Sequence, residues 1–511
     1  MSVKKNLIAN YLGQAWRGIM AVIFVPVFIR FLGLESYGLI AVYAILQSSL
    51  GLLDMGMRPA LSREMARFTA GQHTAQSIRN LLRSVEIIGV VLALTFMVGI
   101  ALASGWLATH WFSAKSISPQ TIRSSLFLMG VVVGLRFIES IYASTLTGLQ
   151  RQVRDNLITM GAATLRAVGA IAVVAWVSPT IQAFFVWQGA VSLITVAVYV
   201  KAVHGSLPSP CERPSPSFAA VANIWRFASG MTLIAILAFL LTQTDKILLS
   251  RLLTLTEFSY YALASAVASS LYLLTGPITN AIYPKFTELV TSNDGDSLTA
   301  TYHQAAQLVT VIMGGAALVL IAFAQQILLL WTGDPSLSRQ TAPLLSILAL
   351  GTLLNGFMWI PYQMQLAHGW TSLAVKINAV AVATLVPLLI WLVPRYGALA
   401  AAWAWVGLNA GYLLFGIYFM HRRIIPREKG RWYLVDLLAP IGAGGLVAAL
   451  CRWLLPGDLG KLPEFAALML TATAVVAAGA LAAPAVRHSL LTQFLLILSA
   501  VRGRRCATGG R

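Results

Sequence analysis

Four charged residues stand where charge is least expected. Arg17, Arg136, Glu139 and Arg166 each interrupt a long apolar run, most clearly in VVVGLRFIESIYASTL, Val131 to Leu146. Counted at about 1.5 Å per residue from the start of each run, all four fall near the middle of a membrane-spanning helix. On insertion scales a charge at that depth costs roughly 3 kcal/mol, so four facing lipid would cost on the order of 12 kcal/mol. They must therefore face one another or a wet cavity. Arg136 and Glu139 are three residues apart on one helix face, so a local ion pair is expected, with Glu139 orienting Arg136. Arg17 and Arg166 have no such neighbour in sequence. One carboxylate among three guanidiniums leaves an excess of buried positive charge. Guanidinium pairs bidentately with phosphate oxygens, so Arg17, Arg136 and Arg166 are expected to line an anion-binding cavity, with Glu139 beside them. The blander alternative is an ion-pair network that only fastens the helices.

A second, weaker set of charges is Asp245 and Lys246 in TQTDKILL. Adjacent residues on a helix point about 100° apart, so the two cannot both face a cavity. Asp245 could hold a coupling proton or sodium ion, or it could serve as a salt bridge or cap that fastens a lobe; both readings stay open. Asn355, with several other Asn and Gln residues, offers neutral groups for hydroxyl-bearing cargo or for helix–helix hydrogen bonds. Cys211, Cys451 and Cys506 match no metal spacing or disulfide framework. No clustered acid, base or metal ligand forms a catalytic constellation, so neither catalytic residues nor a metal or cofactor is expected.

The elements that must position these residues follow from composition. Of 511 residues, 58% are hydrophobic and 10% charged, against about 25% charged in a soluble domain. Runs long enough to span a bilayer recur from end to end, and Ile87 to Ala108 carries no charge. The short alternating segments of an outer-membrane barrel are absent. The expected fold is an all-α polytopic membrane protein of about fourteen transmembrane helices. The basic start of the chain is read as leading into a retained first helix, because Arg17 interrupts what would be a signal's apolar core.

Lysine and arginine orient the chain. They are dense at the termini and in alternate loops, from Arg58 to Arg83, at Arg151 and Arg154, and from Arg422 to Arg431. By the positive-inside rule both termini are cytoplasmic. The net charge of +19 is then mostly topology and attraction to anionic headgroups, and a nucleic-acid partner is not expected. Met57 to Phe68 places Leu61, Met65 and Phe68 on one face, as an interfacial helix would. The Pro- and Ser-rich stretch around Pro208–Ser217 cannot continue a helix and reads as a linker.

The chain also repeats. SSLGLL at Ser48–Leu53 returns as SSLYLL at Ser269–Leu274, and the same offset superposes Arg30 on Arg251 and Ala60 on Ala281. Copies six helices apart insert in the same orientation, implying two parallel six-helix lobes around a central cavity. The expected division is an N-terminal lobe (1–207), a cytoplasmic linker (208–220), a C-terminal lobe (221–420), two further helices (421–487) and a basic cytoplasmic tail (488–511).

FLGLESYGLIAVYAILQSSLGLLDMGMRPALSREMA (Phe31–Ala66) resembles the start of the bacterial polysaccharide flippases, and TQTDKILLSRLLTLTEFSYYALA (Thr242–Ala264) resembles its second-lobe counterpart. Thr254 departs from the glycine common there. The resemblance covers the first twelve helices. It implies transport of undecaprenyl-pyrophosphate-linked oligosaccharide units across the inner membrane for surface polysaccharide synthesis, with membrane lipids and other polysaccharide assembly proteins as neighbours. It also implies kinship with the lipid II flippases and MATE exporters. Two alternatives compete. A MATE-like cation-coupled drug exporter would want acidic rather than basic residues in its lobes. A polysaccharide polymerase or ligase would want a large external loop with catalytic residues, and the longest such loop here, Thr109–Thr121, has none.

Overall fold

The fold is taken from a computed structural model, which describes residues 3–208, 213–216, 218–455, 460–489 and 492. Cys211, Cys506, residues 209–212 and 217 of the expected linker and nearly all of the basic tail lie outside the described residues. One isolated bridge, Ser113 to Thr254, is the sole strand-like pairing among the described residues, and the rest is helix and connection.

The helices are α1 (Asn10–Leu32), α2 (Leu34–Leu53), α3 (Met57–Thr69), α4 (Ala75–Trp111), α5 (Pro119–Gly148), α6 (Gln152–Val177) and α7 (Ile181–His204). They continue with α8 (Phe218–Leu252), α9 (Leu255–Thr291), α10 (Gly295–Ala322), α11 (Ala324–Thr332) and α12 (Pro335–Ala367). The last three are α13 (Ser372–Arg423), α14 (Lys429–Leu454) and α15 (Lys461–Ala482). Thirteen of the described helices are long and apolar enough to cross a membrane. One of them, α13, is broken at Gly397, whose φ of 63° and ψ of −146° no helix contains. Only glycine adopts that conformation cheaply. The break divides 52 residues into two crossings, which gives the fourteen expected.

Local chemistry sets the boundaries. Ser118 caps α5 by accepting from Thr121 N at 3.2 Å, with Pro119 in the first turn. Thr74 and Thr180 cap α4 and α7 in the same way. Gly56, with φ of 76°, turns the chain into α3.

The chain divides into two compact units, 1–262 with 378–401, and 263–377 with 402–511. In the first, Leu61 and Met65 of α3 are wholly buried in a core that includes Ile78, Val85, Phe137 and Leu146. The apolar face of α3, expected from the sequence to lie at the membrane interface, packs on α5. Also in the first unit, α1 is pinned to α6 by Asn156 Nδ2 donating to Asn10 Oδ1 at 2.6 Å and Trp16 Nε1 to Thr164 Oγ1 at 2.9 Å. Positions related by the repeat meet. Thr256 Oγ1 donates to Glu35 Oε1 at 3.4 Å across 221 residues, and Ser259 lies against Gly38. Helical regularity fails at Ser49 and again at Ser270, the same offset.

The second unit packs α14 on α15, and both on α10. Val319, Phe323, Ala448, Leu468 and Val475 form that seam.

Candidate functional site

Arg17, Arg136, Glu139 and Arg166 come from α1, α5 and α6, and all four line one cavity of about 330 Å³ within the first unit. Met20, Phe28, Thr159, Ala162, Gln188 and Thr195 complete much of its wall. Alanine on α6 leaves room there: Ala162 and Ala163, one turn before Arg166, and Ala167, next to it, line the cavity.

The pairing differs from the expected one. Glu139 does not pair with Arg136, three residues away on its own helix. Its two oxygens accept from one guanidinium nitrogen of Arg166 at 2.6 and 2.8 Å. Ser192 Oγ of α7 accepts from the same nitrogen at 3.2 Å. Arg136 is held instead by α2. With the Gln47 amide turned so that its oxygen faces inward, that oxygen accepts from Arg136 and, at 2.8 Å, from the Tyr43 hydroxyl. The physical reason is reach. Residues three apart on a helix can pair only weakly, about 0.2–0.5 kcal/mol, whereas a buried carboxylate facing a guanidinium on a neighbouring helix satisfies two desolvated charges at once.

Arg166 and Glu139 are 9% and 7% exposed, and they sit beside an opening that neither fills. Arg166 Nε is buried without a hydrogen-bond partner. A buried charged donor left unpaired is expensive, and this nitrogen is shut away from the opening that the rest of Arg166 lines. Arg17 is exposed and makes no ion pair within 4 Å among the described residues. It does feel one carboxylate, that of Asp155, which accepts from the Tyr199 hydroxyl at 2.6 Å. Asp155 corrects the expected count. Two carboxylates rather than one accompany the three guanidiniums, and the local excess is one positive charge.

The residues that sequence reasoning missed were visible as stripes. Gln188, Ser192, Thr195 and Tyr199 recur at helical spacing along α7, and Asp155, Thr159 and Arg166 do so along α6. Asp155 was hidden among Arg151 and Arg154, where it reads as part of a solvated loop.

The sequence matches the model of the polysaccharide biosynthesis protein family over residues 3–290. The chain belongs to that family. A second family model, MatE, matches residues 231–392. A Shigella flexneri protein described as "Putative O-antigen transporter" is 20% identical over 409 residues, covering 79% of this chain and 94% of that protein. Among solved structures, the lipid II flippase MurJ in an inward closed conformation superposes with a TM-score of 0.67 at 12% identity, covering 92% of this chain and 97% of that one. The MATE multidrug transporter DinF-BH gives 0.61 at 14% identity, covering 83% of this chain and 96% of that one. This polysaccharide biosynthesis family member thus shares the fold of both transporters.

The other predicted site of this family member is occupied by its own contacts. Lys246 Nζ lies 3.3 Å from Asp245 Oδ2 and donates to Thr242 O at 2.8 Å. The Tyr261 hydroxyl donates to the same Asp245 oxygen at 2.5 Å, joining α8 to α9. Asn355 meets Tyr272, Trp359 and Asn409 in hydrogen bonds of 3.0, 3.3 and 2.7 Å. No cluster of His, Cys, Asp and Glu able to hold a metal occurs among the described residues.

Proposed function

We propose that this chain is a flippase that carries a lipid-linked oligosaccharide across the bacterial inner membrane for surface polysaccharide synthesis. The cargo is a polyprenyl-pyrophosphate sugar unit, and the carriers are the two lobes, 1–207 and 221–420, working by alternating access with both termini in the cytoplasm. The observation that carries this reading is the first-unit cavity, which three guanidiniums line, with Arg17 exposed and Arg136 and Arg166 in its wall. A pyrophosphate presents several oxygens to such donors, and a planar fork reads them better than an ammonium does. Glu139 acts as the partner that holds Arg166 in place. Family membership and the description of the Shigella flexneri relative support the same reading. Asp245 and Lys246 fasten α8 to α9 rather than couple an ion. No catalytic step is assigned to any residue.

The MatE match over residues 231–392 favours a second reading, a cation-coupled drug exporter. The basic cavity repels organic cations and stands against it.

The test is deletion of the chromosomal copy, with analysis of surface glycan and of lipid-linked intermediates, then complementation. Deletion is expected to remove the glycan and accumulate lipid-linked units on the cytoplasmic side. Arg17→Ala should fail to restore export while the protein still accumulates in the membrane, and Arg17→Lys should restore it in part. Normal export by Arg17→Ala at native expression would sink the cavity assignment, and unchanged lipid-linked pools in the deletion would sink the cargo.

A further inference from the structure

The second unit holds a titratable cluster that transport of an anion does not use. His303 of α10 is 1% exposed and Asp436 of α14 is fully buried. The imidazole Nδ1 meets Asp436 Oδ2, and Nε2 lies 2.9 Å from Glu428 Oε2. One turn along α10, Gln307 Nε2 donates to Asp436 Oδ1 at 2.8 Å, while its own oxygen accepts from Ala485 N at 2.8 Å.

A neutral imidazole has one N–H and one lone pair. It can donate to one of these carboxylates only, and the second contact would set a lone pair against a carboxylate oxygen. Both contacts are satisfied when the ring is an imidazolium or when one carboxyl carries the proton. In either case the three residues together hold one proton more than a neutral imidazole and two carboxylates. We propose that His303, Asp436 and Glu428 form a proton-binding site, in which this extra proton fastens the start of α14 to α10.

The surroundings suit the assignment. From α13, His421 faces the Tyr302 hydroxyl at 3.3 Å and turns its other nitrogen to Ile417 O at 3.1 Å. From the start of α14, Arg431 lies 3.8 Å from Glu428, Lys429 sits over the Tyr418 ring, and the Tyr433 hydroxyl donates to Leu413 O. Helix α9 presents Phe286 to Tyr302, and its charged pair, Lys285 and Glu288, is closed on itself at 2.9 Å. From α12, His368 is taken up by Met364 O at 2.9 Å. Beyond α15, Arg487 donates to Leu481 O at 3.4 Å. With the proton bound, His303 and Arg431 balance Asp436 and Glu428. Losing it leaves one uncompensated negative charge around a fully buried carboxylate, which costs far more than in water. Glu428, whose side chain is 28% exposed, is the route by which the proton reaches solvent.

The experiment is thermal unfolding of the purified full chain in detergent, from about pH 6 to about pH 9, across the range where histidine chemistry is titrated. The proton belongs to the folded cluster, so its stabilisation is present at low pH and lost as pH rises. Wild type is expected to fall by about 2–4 °C. The contacts of His73 with Glu64 and of His204 with Glu86 are common to wild type and variant, so the difference isolates His303. His303→Gln should lose most of the slope; parallel curves would overturn the proposal. Should His303→Gln not accumulate, Glu428→Gln, on the partly exposed arm, takes its place. It should move the fall to lower pH, and an unmoved fall would equally overturn the proposal.

Discussion

In the first unit, Arg166 commits one guanidinium nitrogen to Glu139 and Ser192, while Arg17, on the same cavity of about 330 Å³, makes no ion pair among the described residues. In the second unit, both nitrogens of His303, both oxygens of Asp436 and both ends of the Gln307 amide are engaged. Both regions bury charge among apolar helices. They differ in unspent hydrogen-bonding capacity. A surface that takes and releases cargo needs donors left over, whereas a fastening consumes every donor and leaves no space. Burial and charge alone therefore do not separate the proposed transport site from a fastening; unspent donors and the open volume beside them do.

The largest effect on this contrast is expected from Arg166→Ala. It strands Glu139 in a buried position, and breaking a buried ion pair from one side costs about 3–5 kcal/mol. Thermal or denaturant unfolding of the purified protein reads that loss, with abolished export alongside it. Glu139→Gln should cost less, since Gln still accepts from the guanidinium. If Arg166→Ala unfolds no earlier than wild type, the pair is not structural and Arg166 faces the cavity more freely than the geometry indicates.

A smaller loss is expected from Gln307→Ala, which frees Asp436 Oδ1 and Ala485 N together. Leaving buried polar groups unpaired costs about 1–3 kcal/mol. The contrast predicts a stability defect with export retained in proportion to folded protein. A transport defect at full stability would erase the distinction between the two regions.

The smallest effect belongs to a pair outside both regions. Glu64 of α3 bridges His73 at 2.8 Å and Arg67 at 3.2 Å. Burial pushes its carboxyl up, but the hydrogen bonds from His73 and Arg67 outweigh burial and hold it below the ordinary 4.5. A lowered carboxyl stabilises the fold above its ordinary value and loses that contribution as pH falls through the folded one. Glu64→Gln should cost about 0.2–1 kcal/mol at neutral pH, vanishing in strong acid. An effect as large as that of Arg166→Ala would mean that burial depth does not rank these pairs.

Much of the fold was legible because lipid imposes a one-dimensional rule. A helix must be apolar for about 20 residues to cross, so each span announces itself, and the break at Gly397 only separates two spans already distinguishable by composition. The membership of the cavity was legible for a related reason: a charge in hydrocarbon is intolerable, so Arg17, Arg136, Glu139 and Arg166 had to meet something. What they meet was not. The spacing of Arg136 and Glu139 permits a local pair, and nothing in either run shows that Arg166 lies closer in space. Asp155 was obscured by neighbouring arginines.

The sequence by itself determined the class, the spans and the set of charges interrupting them, because each follows from the cost of placing a residue type in a bilayer. Tertiary structure alone decided the partners. His303 and Asp436 are 133 residues apart, and as single residues each reads as an ordinary polar interruption. Partnership depends on which helix faces which, and that is settled by packing between elements, where shape and small side chains such as those of α6 decide over charge.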